Sequence, residues 1–169
     1  MTGPDNGVRN GVFDHVGLSV ADLPAMKRWY AAALGMEIEF EFEFDLPGGR
    51  MSGAMLHATA PDGGPGFRIE LLHRAESRLG LQAGSPVEAA LTRGFGHVAF
   101  DVPEVDAAYD SLIALGASDR MSPRASPEPG VRMAYVADPE GNLVELLDRA
   151  AAIAAGRYGT GEAHTPGEH

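Results

Sequence analysis

The amino-acid sequence predicts an α+β fold built from two βαβββ modules in tandem. Three observations predict it. The chain repeats itself. Each copy opens with alternating hydropathy that gives way to a helical period. Each copy then carries three extended segments cut by turn residues.

The repeat is direct. "HVGLSVADLPAMKRWYAAALG", starting at His15, lies over "HVAFDVPEVDAAYDSLIALG", starting at His97, at an offset of 82 residues. Val16 falls on Val98, Val20 on Val102 and Asp22 on Glu104. "IELL" at Ile69 and "VELL" at Val144 form a second match at an offset of 75, so an indel of seven residues lies between.

Each element has a local reason. In the first copy Asp22 can cap a helix striped by Leu23, Met26, Tyr30 and Ala33 or Leu34, with Gly35 as its stop. In the second copy Val105, Ala108, Leu112 and Leu115 repeat the stripe before Gly116. Strands are expected near 36–44, 50–59 and 66–73, separated by "LPGG" and "PDGGPG". Their counterparts are near 117–124, 130–137 and 142–147, separated by "SPEPG" and "DPEGN". Ser85, Pro86 and Glu88 spell a capping box, which predicts a short helix over 86–92. The organisation expected is a flexible arm at 1–11, modules at 12–74 and 94–149, and a linker with a short helix at 75–93. A flexible tail is expected at 150–169, its last dozen residues mobile.

Composition narrows the chemistry. There is no cysteine, which excludes disulfides, zinc-thiolate sites and thiol catalysis. A formal charge of -11 argues against nucleic acid, because neutralising phosphate takes clustered Lys and Arg. It serves solubility, or a preference for cationic ligands. The start "MTGPDNGVRNG" lacks the apolar region of a signal peptide, and no segment approaches the roughly 20 apolar residues of a membrane span. A soluble, cytoplasmic protein without membrane contact is expected.

Side-chain parity locates candidate chemistry. In the first strand Val16, Leu18 and Val20 pack under the helix, while His15, Gly17 and Ser19 face away. In its copy His97, Ala99 and Asp101 face away. In "FRIELL" Arg68, Glu70 and Leu72 do so, and in "LVELL" Leu143, Glu145 and Leu147. One face of each sheet thus presents a histidine, a glutamate and small neighbours. A lone strand His or Glu is ordinarily solvated or structural. Recurrence at matching positions changes that, because two imidazoles and two carboxylates that converge suit a divalent metal such as Zn, Ni, Co, Mn or Fe(II). Asp101 is a candidate contact to substrate or to a ligand, and His57 a candidate for the rim of the site. His73, of opposite parity to Glu70, reads as structural, and Trp29 and Tyr30 as core or interface.

"DHVGLSVADLPAMKRWYAAALGM", "FRIELL", "GFGHVAFDV" and "DPEGNLVELLD" resemble the vicinal oxygen chelate superfamily, also called the glyoxalase/bleomycin resistance/dioxygenase superfamily. The resemblance spans about 13–149. It implies paired modules forming a cup-shaped, curved mixed sheet around one metal, with helices outside. It implies His15, Glu70, His97 and Glu145 as ligands of a divalent ion, with Ni, Co or Zn favoured and Mn or Fe(II) next. It also implies a small-molecule substrate and a homodimer.

Within the superfamily the four-ligand pattern is similar to glyoxalase I-like members. That implies a lyase or isomerase that moves a proton through a metal-stabilised enediolate, with Glu145 first and Glu70 second as the catalytic carboxylate. Ser19 stands where glutathione-using members tend to carry Arg, and Arg68 is the candidate to replace it. The longer spacing from Glu70 to His97 is nearer that of the epimerases. The alternatives are a methylmalonyl-CoA-epimerase-like or extradiol-dioxygenase-like enzyme, or a metal-free binding protein of the bleomycin-resistance type.

Overall fold

The structure, a computed structural model, describes residues 12–60 and 63–156. The expected arm at 1–11 and the end of the expected tail, 157–169, lie outside the described residues. The chain divides between Arg78 and Leu79 into two compact units.

The first unit runs β1 (Val16–Ser19), α1 (Leu23–Leu34), β2 (Glu37–Leu46), β3 (Gly49–Thr59) and β4 (Pro65–His73). Its sheet order is β1-β4-β3-β2. β1 and β4 are parallel, and the other pairs are antiparallel. The order follows from the connections. α1 carries the chain to the far edge, two hairpins bring it back, and β4 closes beside β1. Asp22 caps α1 by accepting from the Ala25 N–H at 2.9 Å. Gly35 ends the helix with φ of 62°, in the left-handed region that a side chain would strain. The buried stripe is Leu23, Met26, Trp29 and Tyr30. Ala33 and Leu34 are half-buried, and Trp29 takes the expected place, its ring edge-on to Tyr30 at 4.9 Å. This stripe covers Leu56, Ile69 and Leu71 of β3 and β4, all buried. Each such side chain contributes about 1.5–3 kcal/mol by leaving water.

The second unit opens with α2 (Pro86–Ala89) and then repeats the plan: β5 (Val98–Asp101), α3 (Val105–Ala114), β6 (Ser118–Ala125), β7 (Arg132–Ala137) and β8 (Leu143–Asp148), followed by α4 (Ala150–Ala154). The sheet order is β5-β8-β7-β6, with β5 and β8 parallel. The two units therefore share one topology, as the repeat predicts.

Four details differ from the sequence expectation. α2 stops at Ala89, not at residue 92, because the Leu91 and Thr92 N–H groups bond three residues back, to Glu88 and Ala89. Leu115 is exposed, since α3 ends before it and Ala117 is buried instead. Residues 150–154 form α4 rather than part of a loose tail, because Ala152 is buried against Val131 and Leu147. Leu143 and Leu147 share the parity of Glu145 but are buried. Leu143 packs on Ala83, Ala89 and Ala137, and Leu147 on Val131 and Ala152. α2 and α4 thus cover the ends of β8 and leave Glu145 between them.

The turn before β8 is tied by Asp138, 1% exposed. Its carboxylate accepts from the Glu140 N–H at 3.0 Å, the Asn142 N–H at 2.8 Å and the Asn142 Nδ2 at 2.9 Å. Hydrogen bonds to a buried charge contribute about 1.5–3 kcal/mol each and do not add fully. Asp138→Ala is expected to lower stability by about 2–4 kcal/mol, read as a lower urea midpoint at constant slope. A loss under about 0.5 kcal/mol, the range of ordinary surface changes, would contradict this account of the turn. Gly53 is equally constrained, since a Cβ there would run into the Phe42 ring and come within 2.7 Å of the Leu71 carbonyl oxygen. Gly53→Ala is expected to cost about 1–3 kcal/mol in the same measurement. Wild-type stability would show that the β2–β3 pair yields freely.

Candidate metal centre

The parallel pairing of β1 with β4 sets Gly17 opposite Glu70. His15 lies two residues before Gly17 and shares its face. His15 Nε2 stands 3.5 Å from Glu70 Oε2. On its other side His15 Nδ1 donates to Asp14 Oδ1 at 2.7 Å. The charged acceptor keeps the proton on Nδ1 and leaves the Nε2 lone pair toward Glu70. The hydrogen bond from His15, helped by Arg68, holds the Asp14 carboxyl below its usual range, against partial desolvation. A Cβ on Gly17 would lie 3.7 Å from Glu70 Oε2, so the space beside the carboxylate admits a methyl group and little more.

The second unit repeats the geometry. Ala99 is opposite Glu145, and His97 precedes Ala99 by two. His97 Nε2 stands 3.1 Å from Glu145 Oε2. The supports differ. Gly96, not Asp, precedes His97. Tyr135 is the β7 partner of Glu145, and its hydroxyl donates to Glu145 Oε1. The His97 ring meets the Tyr135 ring edge-on, with centroids 5.5 Å apart. Burial, then the bond to Glu145 and its charge, push the Tyr135 phenol well above its usual value, which keeps it a donor. In the first unit the residue opposite Glu70 is Met55, which has no proton to give.

Both pairs fit a divalent ion. Two donors each about 2.1 Å from one metal stand about 3.0–3.4 Å apart at octahedral to tetrahedral angles. The two N···O separations, 3.5 and 3.1 Å, lie close to that span. Among the described residues no group of three or more His, Cys, Asp or Glu side chains that could hold a metal ion is gathered, so each pair stands as two donors.

The other sequence candidates fall out as follows. Arg68 forks onto Glu39, with Nε at 2.9 Å and Nη2 at 2.6 Å from Oε2, and reaches Asp14 with Nη1 at 3.0 Å. Ser19 and Asp101 are exposed at the ends of β1 and β5. His57 pairs in register with Arg68, one row beyond Met55 and Glu70, and its Nδ1 is buried without a hydrogen bond among the described residues. His73 Nδ1 bonds the Val20 carbonyl oxygen at 3.1 Å, a structural tie. Sequence reading missed Asp14, Glu39 and Tyr135. Counting "VRMAYVA" by strand parity from the turn would have put Tyr135 on the face of Glu145. Also on the Glu70 face lie Phe40 and Phe42, opposite Met55 and Gly53, with Phe44 next in the row. Phe40 and Phe44 are about half exposed.

The profile of the glyoxalase/bleomycin resistance protein/dioxygenase superfamily matches residues 12–146. The chain is 29% identical over 133 residues to biphenyl-2,3-diol 1,2-dioxygenase 3 of Rhodococcus globerulus, covering 78% of this chain and 60% of that protein. It is 27% identical over 152 residues to a probable lactoylglutathione lyase of Vibrio parahaemolyticus, covering 86% and 96%. A solved glyoxalase family protein from Bacillus cereus superposes with a TM-score of 0.63 at 22% identity, covering 85% of this chain and 98% of that one. The chain spans 60% of the length of the dioxygenase and 44% of the solved maize glyoxalase I chain. These matches and the twofold βαβββ topology agree: the chain belongs to the glyoxalase/bleomycin resistance protein/dioxygenase superfamily.

Proposed function

We propose that the protein is a metal-dependent enzyme of the glyoxalase I type, a lyase or isomerase that moves a proton on a small-molecule substrate. His15, Glu70, His97 and Glu145 are its metal ligands, and a homodimer is its working form. The observation that carries this reading is the matched pair of imidazole and carboxylate, 3.5 Å apart in one unit and 3.1 Å in the other. The resemblance to a probable lactoylglutathione lyase over 96% of its length supports the reaction class.

A bound divalent ion would supply Lewis-acid stabilisation for the oxyanion that develops as a proton leaves a carbon beside a carbonyl. The chain's own groups divide the remaining work. Tyr135 holds Glu145 through Oε1. A carboxylate fixed by a donated hydrogen bond is a weaker base. Glu70 faces Met55 and carries no such bond among the described residues, so it has the freedom to swing and accept the proton. This assigns the base to Glu70 and an anchoring role to Glu145, the reverse of the order expected from sequence. Gly17 keeps the space beside Glu70 open.

A second reading has its own support. The likeness to a dioxygenase of an aromatic diol, with Phe40 and Phe42 on the face of Glu70, favours an Fe(II) oxygenase. Oxygen uptake by Fe(II)-loaded protein with biphenyl-2,3-diol would replace the first reading with this one.

Protein purified without a His tag is expected to hold close to one Ni, Co or Zn per chain by mass spectrometry, before or after reconstitution. The double variant His97→Ala/Glu145→Ala is expected to hold none. A wild type that takes up no metal, Mn and Fe(II) included, would overturn the enzyme reading in favour of a metal-free binding protein. For the base, the loaded protein is screened against hemithioacetals of several thiols in deuterated water, with proton exchange read by NMR. Glu70→Gln is expected to slow exchange by about a hundred- to ten-thousandfold. Tyr135→Phe should cost less than about tenfold. Equal losses in Glu70→Gln and Tyr135→Phe would contradict the division of labour.

A further inference from the structure

Three charged groups run in line to the His15 ring. Glu39 takes the Arg68 fork, Oε1 from Nη2 at 2.7 Å and Oε2 from Nε at 2.9 Å. Arg68 Nη1 donates to Asp14 Oδ2 at 3.0 Å. Asp14 Oδ1 accepts from His15 Nδ1 at 2.7 Å. Among the described residues each Asp14 oxygen therefore has one partner, and the two partners pull on opposite sides of the carboxylate.

The backbone explains why Glu39 reaches Arg68. β2 pairs with β3 as Ile38↔Leu56 and then Phe40↔Met55, so Glu39 is the unpaired residue of a β-bulge. A bulge re-aims the side chain it carries. Here Glu39 is released from the row of Met55 and Glu70 and leans over the neighbouring row, where Arg68 lies opposite His57. β1 delivers the other end. Its parallel register, Val16↔Ile69, sets the residues just before Val16 beside Arg68.

Folding stability does not account for this line. Asp14 is 63% exposed and Glu39 39%, and ion pairs so wet contribute little. The second unit keeps its His/Glu pair without any such line, since Gly96 stands where Asp14 would be. A substrate carboxylate would have to displace two protein carboxylates to reach Arg68.

We propose that Asp14 is a positioning residue that fixes the tautomer and ring plane of His15 for metal binding, and that Arg68 and the bulge residue Glu39 anchor Asp14. The proposal rests on the reading of His15 as a metal ligand. Its reach is one-sided: it sets the affinity of the first ligand pair and leaves the second untouched.

The test is Zn affinity by chelator competition, together with the visible spectrum of the Co(II)-loaded protein. Wild type is compared with Asp14→Ala, Asp14→Asn, Arg68→Met and Glu39→Gln. Asp106→Asn, which breaks the exposed Arg132 pair on the second unit, serves as control. Partners behind a metal-bound histidine are worth about 10- to 100-fold in affinity, and Asp14→Ala is expected to fall in that range with a shifted Co(II) spectrum. Asp14→Asn keeps an acceptor oxygen for Nδ1–H and should recover most of the loss. Arg68→Met and Glu39→Gln should give smaller losses in the same direction, and Asp106→Asn none. Thermal midpoints and circular dichroism report folding separately. Zn affinity within twofold of wild type in folded Asp14→Ala would overturn the proposal. So would losses in Arg68→Met with none in either Asp14 variant. A wild type that binds neither Zn nor Co(II) would bring down the metal reading itself.

Discussion

Parallel pairing of β1 with β4, and of β5 with β8, aligns each glutamate with its histidine and each apolar face with its helix. It sets Gly17 against Glu70 and Ala99 against Glu145. Strand alternation then carries a histidine, two residues earlier, onto the face of each glutamate. The opposite face is spent on the core, where α1 covers Leu56, Ile69 and Leu71 in the first unit. A slip of one residue in either register would bury the carboxylate under a helix and turn an aliphatic residue outward. Register and chemistry are thus specified together. The apolar face must be buried, and burying it aims the imidazole and the carboxylate.

The two His/Glu pairs are alike in their own residues and not in their supports. In the first unit an exposed line of charges stands behind the histidine, and a thioether faces the glutamate. In the second a phenol grips the glutamate and lays its ring against the histidine. The helices differ in the same way. α2 and α4 close over the ends of β8 on the side of Glu145. The Glu145 side chain is accordingly the less exposed, 13% against 25% for Glu70. The two modules share the His/Glu pair and differ in what surrounds it.

The fold was legible because local chemistry and global pattern agree. Asp22 and Gly35 bound α1 as their side-chain chemistry demands, and the parity of "FDHVGLSV" and "GFGHVAFDV" put each histidine on the open face. Legibility ended where tertiary contact overrides parity. Nothing local in "LVELL" says that Leu143 and Leu147 are buried beside Glu145, because the covering helices come from segments that read as linker and tail. Leu115 fits a helical stripe, yet the helix ends just before it. The two His/Glu pairings were legible from strand parity, and their supports were not. Asp14 and Glu39 sit among ordinary surface charges in the sequence. Only the bulge between Ile38 and Phe40 shows that Glu39 reaches Arg68.

We propose that one histidine from each unit binds the same ion. X-ray absorption at the metal edge of Ni- or Zn-reconstituted protein tests it most directly, because imidazole rings give outer-shell scattering that counts them. The account predicts two imidazoles per metal with the remaining donors oxygen, and one imidazole in His15→Ala. Scattering from a single imidazole in the wild type, or a signal unchanged in His15→Ala, would contradict it.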